Sequence, residues 1–362
     1  MRSLSRVQLP HWTPDLEQVD VQELVDQIRQ RVLPQRGVYA LAEEILVTVG
    51  SQHACYLLAE ALFDRRTRVG FEEPGHPHAR NSFSVREPQM VNIPVDDDGL
   101  VVDGMPEVDY VFVTPSHQSP TTRTLSLERR QWLLRKAELH DFVIIEDDYE
   151  AENLYAGAPM PALKSLDSSG RVIYIGSLSK SLSPALRLGY IVAPRGLIAE
   201  LRVLRHAQVR HPSAFLQHAY ALFLSLGHHE SHARRVNQIM QERLARVAEA
   251  LERHLPEFRF ALPQGGASVW VEAPPWLDST ELADAARLRG VLIEPGRAFY
   301  DQPPCPCPSF RLRLSSISGS AIEEGVRALA TAVYELALTR RTSAPKEGRL
   351  NPTPAYLVRA VP

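Results

Sequence analysis

The stretch Val172-Ile-Tyr-Ile-Gly-Ser-Leu-Ser-Lys180-Ser-Leu-Ser-Pro-Ala-Leu-Arg187-Leu-Gly-Tyr190 decides how the rest of this sequence is read. A short apolar run rich in β-branched and aromatic residues stops at Gly176, the pattern of a buried strand closed by a turn. The turn then presents Ser177, Ser179 and Lys180, and Arg187 follows seven residues after the lysine. Open α/β sheets bind ligands beyond the carboxyl ends of their strands. Two hydroxyls, an amine and a guanidinium therefore fall where a ligand would sit. A lone lysine in such a loop would be a solvated surface residue, because a reactive amine needs a desolvated or cationic setting. Its surroundings argue against that reading.

Upstream, Phe142-Val-Ile-Ile-Glu-Asp147-Asp-Tyr149 is a second apolar strand ending in acids and a tyrosine. A carboxylate at that edge can pair with a protonated pyridine nitrogen and so keep the ring an electron sink. By itself Asp147 is equally a magnesium ligand or a helix cap, but no Walker-type phosphate loop accompanies it. A third junction, Val49-Gly50-Ser51-Gln52, turns a strand into a helix whose first N–H groups and dipole face an anion. Gly50 lets the ligand approach closely, although Gly-Ser before a helix also serves simply as a cap.

Further strands are predicted at 45–49, 68–71, 110–114 and 189–192. A helix from Ser51 places Ala54, Leu57, Leu58, Ala61 and Leu62 on one face, and another spans 126–140. This alternation is that of an α/β layer fold with a mostly parallel sheet. Long helical stretches follow at 197–226 and 229–255. After Pro256 come strands at 258–262 and 267–272, a helix over 279–289, strands at 291–294 and 310–314, and a closing helix over 320–338. The expected organisation is a short arm (1–20), a large domain (21–226), an interdomain helix with a small α+β domain (227–338) and an aperiodic, Pro-containing tail (339–362).

Composition narrows the function. The chain has 362 residues and a formal charge of -3, which provides no cationic excess for neutralising nucleic-acid phosphates. Cys55, Cys305 and Cys307 offer neither a disulfide framework nor metal-ligand spacing. No stretch approaches the length of an apolar membrane span, and MRSLSRVQLPHW lacks the apolar run of a secretory signal. A cytoplasmic protein without metal, membrane or nucleic-acid partner is expected.

The segments TPSHQSPTT, IIEDDYEAENLY, PALKSLDSSGRVIYIGSLSKSL and LRLGYIVAP closely resemble the aminotransferase-like domain of MocR-type transcription factors, and more distantly class I aminotransferases, over roughly residues 20–338. The spacing of 33 residues from Asp147 to Lys180 matches as well as the residues themselves. The resemblance implies a fold-type I pyridoxal-phosphate (PLP) enzyme, with a mostly parallel seven-stranded sheet in the large domain, that assembles as a homodimer. It implies that Lys180 forms a Schiff base with the cofactor and shuttles a proton between Cα and C4′. Asp147 would pair with the pyridine nitrogen and Tyr149 with the phenolic oxygen O3′. Arg187, Ser177 and Ser179, with Gly50, Ser51 and Gln52, would hold the phosphate, and Arg311 or, failing it, Arg313 would bind the substrate carboxylate.

Departures from the pattern bear on activity. The ring-stacking position, usually aromatic, is His76 within Glu73-Pro-Gly-His-Pro77, which can stack and carry a proton or serve only as a turn residue. The Asn of Asn-Pro-Thr-Gly is missing from Gln118-Ser-Pro-Thr-Thr122, which leaves the O3′ contact to Gln118 or His117. The region ahead of Val21 is short, and a regulator's DNA-binding module is expected to be lacking. The expected activity is transamination of an amino acid. The alternatives are β/γ-elimination, replacement or C–C bond formation, for example on S-adenosylmethionine, and a PLP-binding effector sensor without turnover.

Overall fold

The computed structural model describes residues 19–150, 152–154, 160–179, 182–315 and 317–343. Lys180, the arm up to residue 18 and the tail beyond 343 lie outside the described residues.

In chain order the regular elements begin with α1 (Gln22–Gln27), β1 (Ile45–Thr48), α2 (Gly50–Leu62), β2 (Arg68–Glu73), α3 (Pro77–Phe83), β3 (Gln89–Asp96), β4 (Gly99–Leu100), β5 (Tyr110–Val113), α4 (Leu127–His140) and β6 (Val143–Asp148). They continue with α5 (Leu163–Leu166), β7 (Val172–Ser177), β8 (Gly189–Val192), α6 (Arg195–Val209), α7 (Ala214–Ser225), α8 (His228–His254), β9 (Arg259–Phe260), β10 (Ser268–Glu272), α9 (Ser279–Arg287), β11 (Glu294–Pro295), β12 (Ser309–Arg313) and α10 (Ile322–Ser343).

The large sheet has the order β1-β8-β7-β6-β5-β2-β3-β4. Strands β3, β2, β5, β6 and β7 are mutually parallel, while β8 runs against both β7 and β1. Consequently β1 points the same way as the parallel set. The carboxyl ends of β1, β2, β5, β6 and β7 share one edge with the amino end of β8. That reversal is what brings Arg187, just ahead of β8, to the edge where Asp147 ends β6.

The sheet has one strand more than the expected seven, the two-residue β4 paired to β3. Strand β3 itself is masked in the sequence because Asn92 and Pro94 interrupt its apolar alternation. The helix expected over 197–226 is two helices: Arg210 takes φ 60° and Pro212 follows, removing a donor and disfavouring helical geometry before it. The closing helix runs on to Ser343, into the stretch expected to be tail.

Residue parity along each strand assigns its side chains to opposite layers. Ile145, Ile173, Ile175 and Ile191 join Ala54, Cys55, Leu57 and Leu58 of α2 in one core. Ile144 and Val172 belong to a second core on the other side of the sheet, and Tyr174 and Tyr190 to a third that includes the N-terminal helix. Each fully buried Leu contributes about 1.5–3 kcal/mol, which is what holds α2 flat on the sheet with its first turn at the edge. The small four-stranded sheet, in the order β11-β12-β10-β9, is antiparallel throughout and packs with α8, α9 and α10 around Phe310, Val271 and Leu251.

On the far face of β6, Asp148 accepts from Arg36 Nε at 2.7 Å and from the Tyr174 hydroxyl at 2.9 Å. Burial alone would raise its pKa, but the guanidinium and its hydrogen-bond donors hold it below the usual carboxylate range. Arg36→Met strands that carboxylate in the interior. A loss of about 3–5 kcal/mol is expected, measured by denaturant unfolding at neutral pH, and a change below ~1 kcal/mol would show that the pair does not brace β6.

Candidate active site

Asp147 follows Ile145 in parity, so it faces the α2 layer, where it is 3% exposed and close enough to Cys55 to act on its ionisation. Burial, with Asp147 adding to it, pushes that thiol well above its ordinary value, so Cys55 is a neutral filler and not a nucleophile. Glu146 and Asp148 face the other way; Glu146 accepts from the N–H groups of Leu163 and Lys164 at 2.8 Å each. Of three consecutive acids, one is directed to the α2 side of the edge.

Beside it lies a cup suited to a dianion. Gly50 has φ +77°, and no side chain caps the first turn of α2. The positive φ favours glycine, and a Cβ there would lie 3.1 Å from Arg187 Nη2, so a side chain would press on the guanidinium. Arg187 itself sits at φ 52°, a left-handed conformation costing a non-glycine residue about 1–2 kcal/mol, and its Nη2 donates to Val49 O at 3.3 Å. Uncapped N–H groups, a helix dipole and a guanidinium converge here, the donor set that phosphate requires. His53 steadies the turn by accepting from Val49 N at 3.1 Å, and burial lowers its pKa so that it remains neutral.

The two serines differ. Ser179 Oγ donates to Leu188 O at 2.9 Å and accepts from Leu188 N at 2.7 Å. Its one proton is committed to closing the neck of the 179–188 loop, contrary to a role as phosphate donor. Ser177 shares the parity of Ile175 and so the side of Asp147.

The wall opposite the cup is built by residues after β2 and β5. His76 begins α3, and its Nδ1 accepts from Ala79 N at 3.3 Å, which places the ring proton on Nε2. Its ring stands 6.0 Å from that of Tyr149, nearly perpendicular. The Tyr149 hydroxyl donates to His117 O at 3.0 Å. Burial and Glu150 push the Tyr149 phenol well above its ordinary pKa against the pull of Arg311, so it keeps its proton. His117 is 5% exposed and packs on Gly265, where a Cβ would lie 2.4 Å from its Cε1. Burial lowers its pKa and keeps it neutral.

Gln118 is placed elsewhere in the network. Its Nε2 lies within hydrogen-bond distance of Glu72 Oε2, Pro74 O and Ser119 O, and its Oε1 accepts from Thr121. Both amide hydrogens are thereby committed to the interior, which leaves none for O3′. Glu72, the acid it meets, is fully buried and pushed up to about 7 by desolvation despite its donors.

Arg311 lies in the small sheet with its side chain 14% exposed and its guanidinium 4.6 Å above the Phe299 ring. Arg313 is 51% exposed. Both pair with Glu294, an acid for which the sequence alone suggests no role. Ser51 and Gln52 occupy the first turn of α2, as expected. Among the described residues no group of His, Cys, Asp and Glu could hold a metal ion, and no helix is long and apolar enough to cross a membrane.

No family model matches the chain. It is 40% identical to the HTH-type transcriptional regulator TauR of Rhodobacter capsulatus over 334 residues, 92% of this chain and 69% of the regulator. It is 30% identical to aromatic-amino-acid aminotransferase 1 of Thermococcus litoralis over 304 residues, 81% of this chain and 73% of that enzyme. Among solved structures, kynurenine aminotransferase of Pyrococcus horikoshii, in complex with PMP, superposes with a TM-score of 0.84 at 29% identity, covering 91% of this chain and 84% of that one. With the mostly parallel sheet and the donor set at its edge, these likenesses establish that the chain belongs to the fold-type I PLP-dependent aminotransferase family, which includes the aminotransferase-like domains of MocR-type regulators.

Proposed function

We propose that the chain transfers the amino group of an α-amino acid to a 2-oxo acid, with PLP bound between Asp147 and the Gly50–Arg187 cup. The observation that carries this reading is that the inward-facing acid and the anion cup share one face and one edge of the sheet. When bound, PLP supplies an electron sink for the negative charge that develops at the substrate Cα.

The residues then divide the work. Arg187 and the first turn of α2, at Gly50, Ser51 and Gln52, grip the phosphate, with Ser177 beside them. Asp147 holds the proton on the ring nitrogen, because a buried carboxylate next to a cation favours the charged pair. Tyr149 would donate to the phenolic oxygen by turning its one hydroxyl proton away from His117 O, its acceptor in the structure, and His76 covers a ring face and excludes water. Lys180 anchors the cofactor covalently and moves the proton between Cα and C4′. Arg311 binds the substrate carboxylate, and its charge-assisted hydrogen bonds orient Cα for proton removal. The working form is a cytoplasmic homodimer with a biosynthetic role.

Arg187→Ala tests the cup. Loss of one charge-assisted phosphate contact is expected to weaken PLP binding by roughly 10- to 100-fold, read by equilibrium dialysis of cofactor. Unchanged affinity would remove Arg187 from the phosphate site. The activity itself is tested by incubating holoprotein with each amino acid, plus S-adenosylmethionine, and 2-oxoglutarate or pyruvate, and identifying products by mass spectrometry. New amino acid formed at the expense of the oxo acid is the expected result, whereas cleavage products would redirect the assignment to elimination or replacement.

One observation favours a second reading: the 40% identical relative is a regulator. A non-turnover sensor would give a stable spectral change with an effector amino acid and no product, and sustained conversion rejects it.

A further inference from the structure

Strand pairing places Glu294 of β11 directly opposite Arg311 of β12, and Trp270 of β10 opposite it on the other side. Glu294 Oε2 lies 2.6 Å from both Nε and Nη2 of Arg311, and its Oε1 lies 2.6 Å from Arg313 Nε. The Phe299 ring covers one face of the Arg311 guanidinium and is itself wedged edge-on against Trp270, with centroids 5.6 Å apart. Phe299 is tied into the site by its carbonyl, which accepts from Gly75 N at 2.8 Å, one residue before His76. Arg311 is also near enough to Tyr149 to act on its ionisation.

A guanidinium has two edges that match a carboxylate: the side-on pair Nε and Nη2, and the end-on pair Nη1 and Nη2. Here the side-on edge is taken by Glu294 and one face by Phe299, so both rotation and tilt of the group are fixed. The end-on edge has no partner among the described residues. Glu294 also neutralises one of two adjacent arginines, so the three side chains together carry a single positive charge.

We propose that Glu294 is a positioning residue for amino-acid recognition: by occupying the side-on edge of Arg311 and the charge of Arg313, it presents one end-on fork of fixed direction to the substrate's α-carboxylate. This rests on the assignment of Arg311 to that carboxylate. The consequence is selectivity for the carboxylate over the same molecule without it, because a freely turning guanidinium loses the geometric advantage of a fork held in place.

The test uses holoprotein and the amino acid that wild type binds best, compared with the amine left by its decarboxylation, each titrated by the change in the cofactor's visible spectrum. Wild type is expected to bind the amino acid about 100-fold or more tighter than the amine. Glu294→Ala is expected to reduce that ratio to about 10-fold or less, with affinity for the amine within about twofold of wild type. Arg313→Ala is expected to leave the ratio within about twofold, since Arg311 retains its partner. An unchanged ratio in Glu294→Ala overturns the proposal. So does an equal collapse in Arg313→Ala, which would make total charge the determinant, and so does a loss of amine affinity, which would make Glu294 merely structural. A wild type that binds both ligands equally overturns the role of Arg311 and with it that of Glu294. A wild type that responds to neither sinks the aminotransferase reading itself.

Discussion

Lys180→Ala is expected to abolish covalent retention of the cofactor and to lower amino-group transfer by roughly 1,000-fold or more, in the range for loss of a general base combined with a covalent anchor. The expectation rests on elimination as well as on position in the sequence. The chain has four lysines: Lys136, Lys164, Lys180 and Lys346. Lys136 Nζ donates to Val102 O at 3.0 Å, and Lys164 Nζ donates to Val172 O at 2.7 Å with Asp167 at 3.5 Å. Both amines are held away from the carboxyl edge by acceptors of their own, and Lys346 lies outside the described residues. Only Lys180 is bracketed by Ser179, fixed at the loop neck, and Arg187, fixed beside Gly50. Borohydride reduction followed by intact-mass measurement provides the check: wild type should gain the mass of the cofactor less the water lost on condensation plus the two hydrogens added on reduction, and the variant should not. A reducible link that survives in Lys180→Ala would mean that another amine carries the chemistry.

Asp147→Asn comes next in expected effect, with a fall in kcat/KM of about 100- to 1,000-fold, equivalent to about 2.7–4 kcal/mol of lost electrostatic stabilisation. A neutral amide cannot hold a proton on the ring nitrogen, so the ring loses its pull on electrons while the phosphate grip is untouched. The neighbouring Asp148→Asn is the internal control. It faces the opposite layer and pairs with Arg36, so it should reduce unfolding stability and spare the chemistry, measured on folded protein saturated with PLP. If the two variants exchanged these phenotypes, the parity argument that singled out Asp147 would fail.

That parity argument is also the measure of what could be read without coordinates. Strand β8 has the limits expected of it, and α8 lies within a residue of its expected bounds at both ends, because their apolar periodicity is uninterrupted. The likeness of Asp147 and Arg187 to a known pattern located the candidate site, and alternation along Val143–Asp148 explains why the middle acid of three is the one directed inward. Features that depend on a partner distant in sequence were not legible. The role of Glu294 requires the β11–β12 register, which a two-residue strand cannot announce. Gln118 and Ser179 have the residue types of ligand contacts, yet their hydrogens go to Pro74 and Leu188. Chemistry of that kind is fixed by the third dimension: a hydroxyl or amide is available to a ligand only if no nearer acceptor has taken its proton. Arg36, 112 positions from Asp148, is the same case for a charge.

The reversed direction of β8 has one more consequence. A strand parallel to β7 would have had to cross to the far edge of the sheet before re-entering it, whereas here the eleven residues 178–188 return the chain antiparallel at the same edge. The proposed anchor and anion grip therefore both lie on this one connection, clasped at its base by the Leu178–Leu188 backbone bond of 3.0 Å. On the roles proposed for Lys180 and Arg187, lengthening that connection by a single residue would put the two out of step, so its length is expected to matter alongside its side chains.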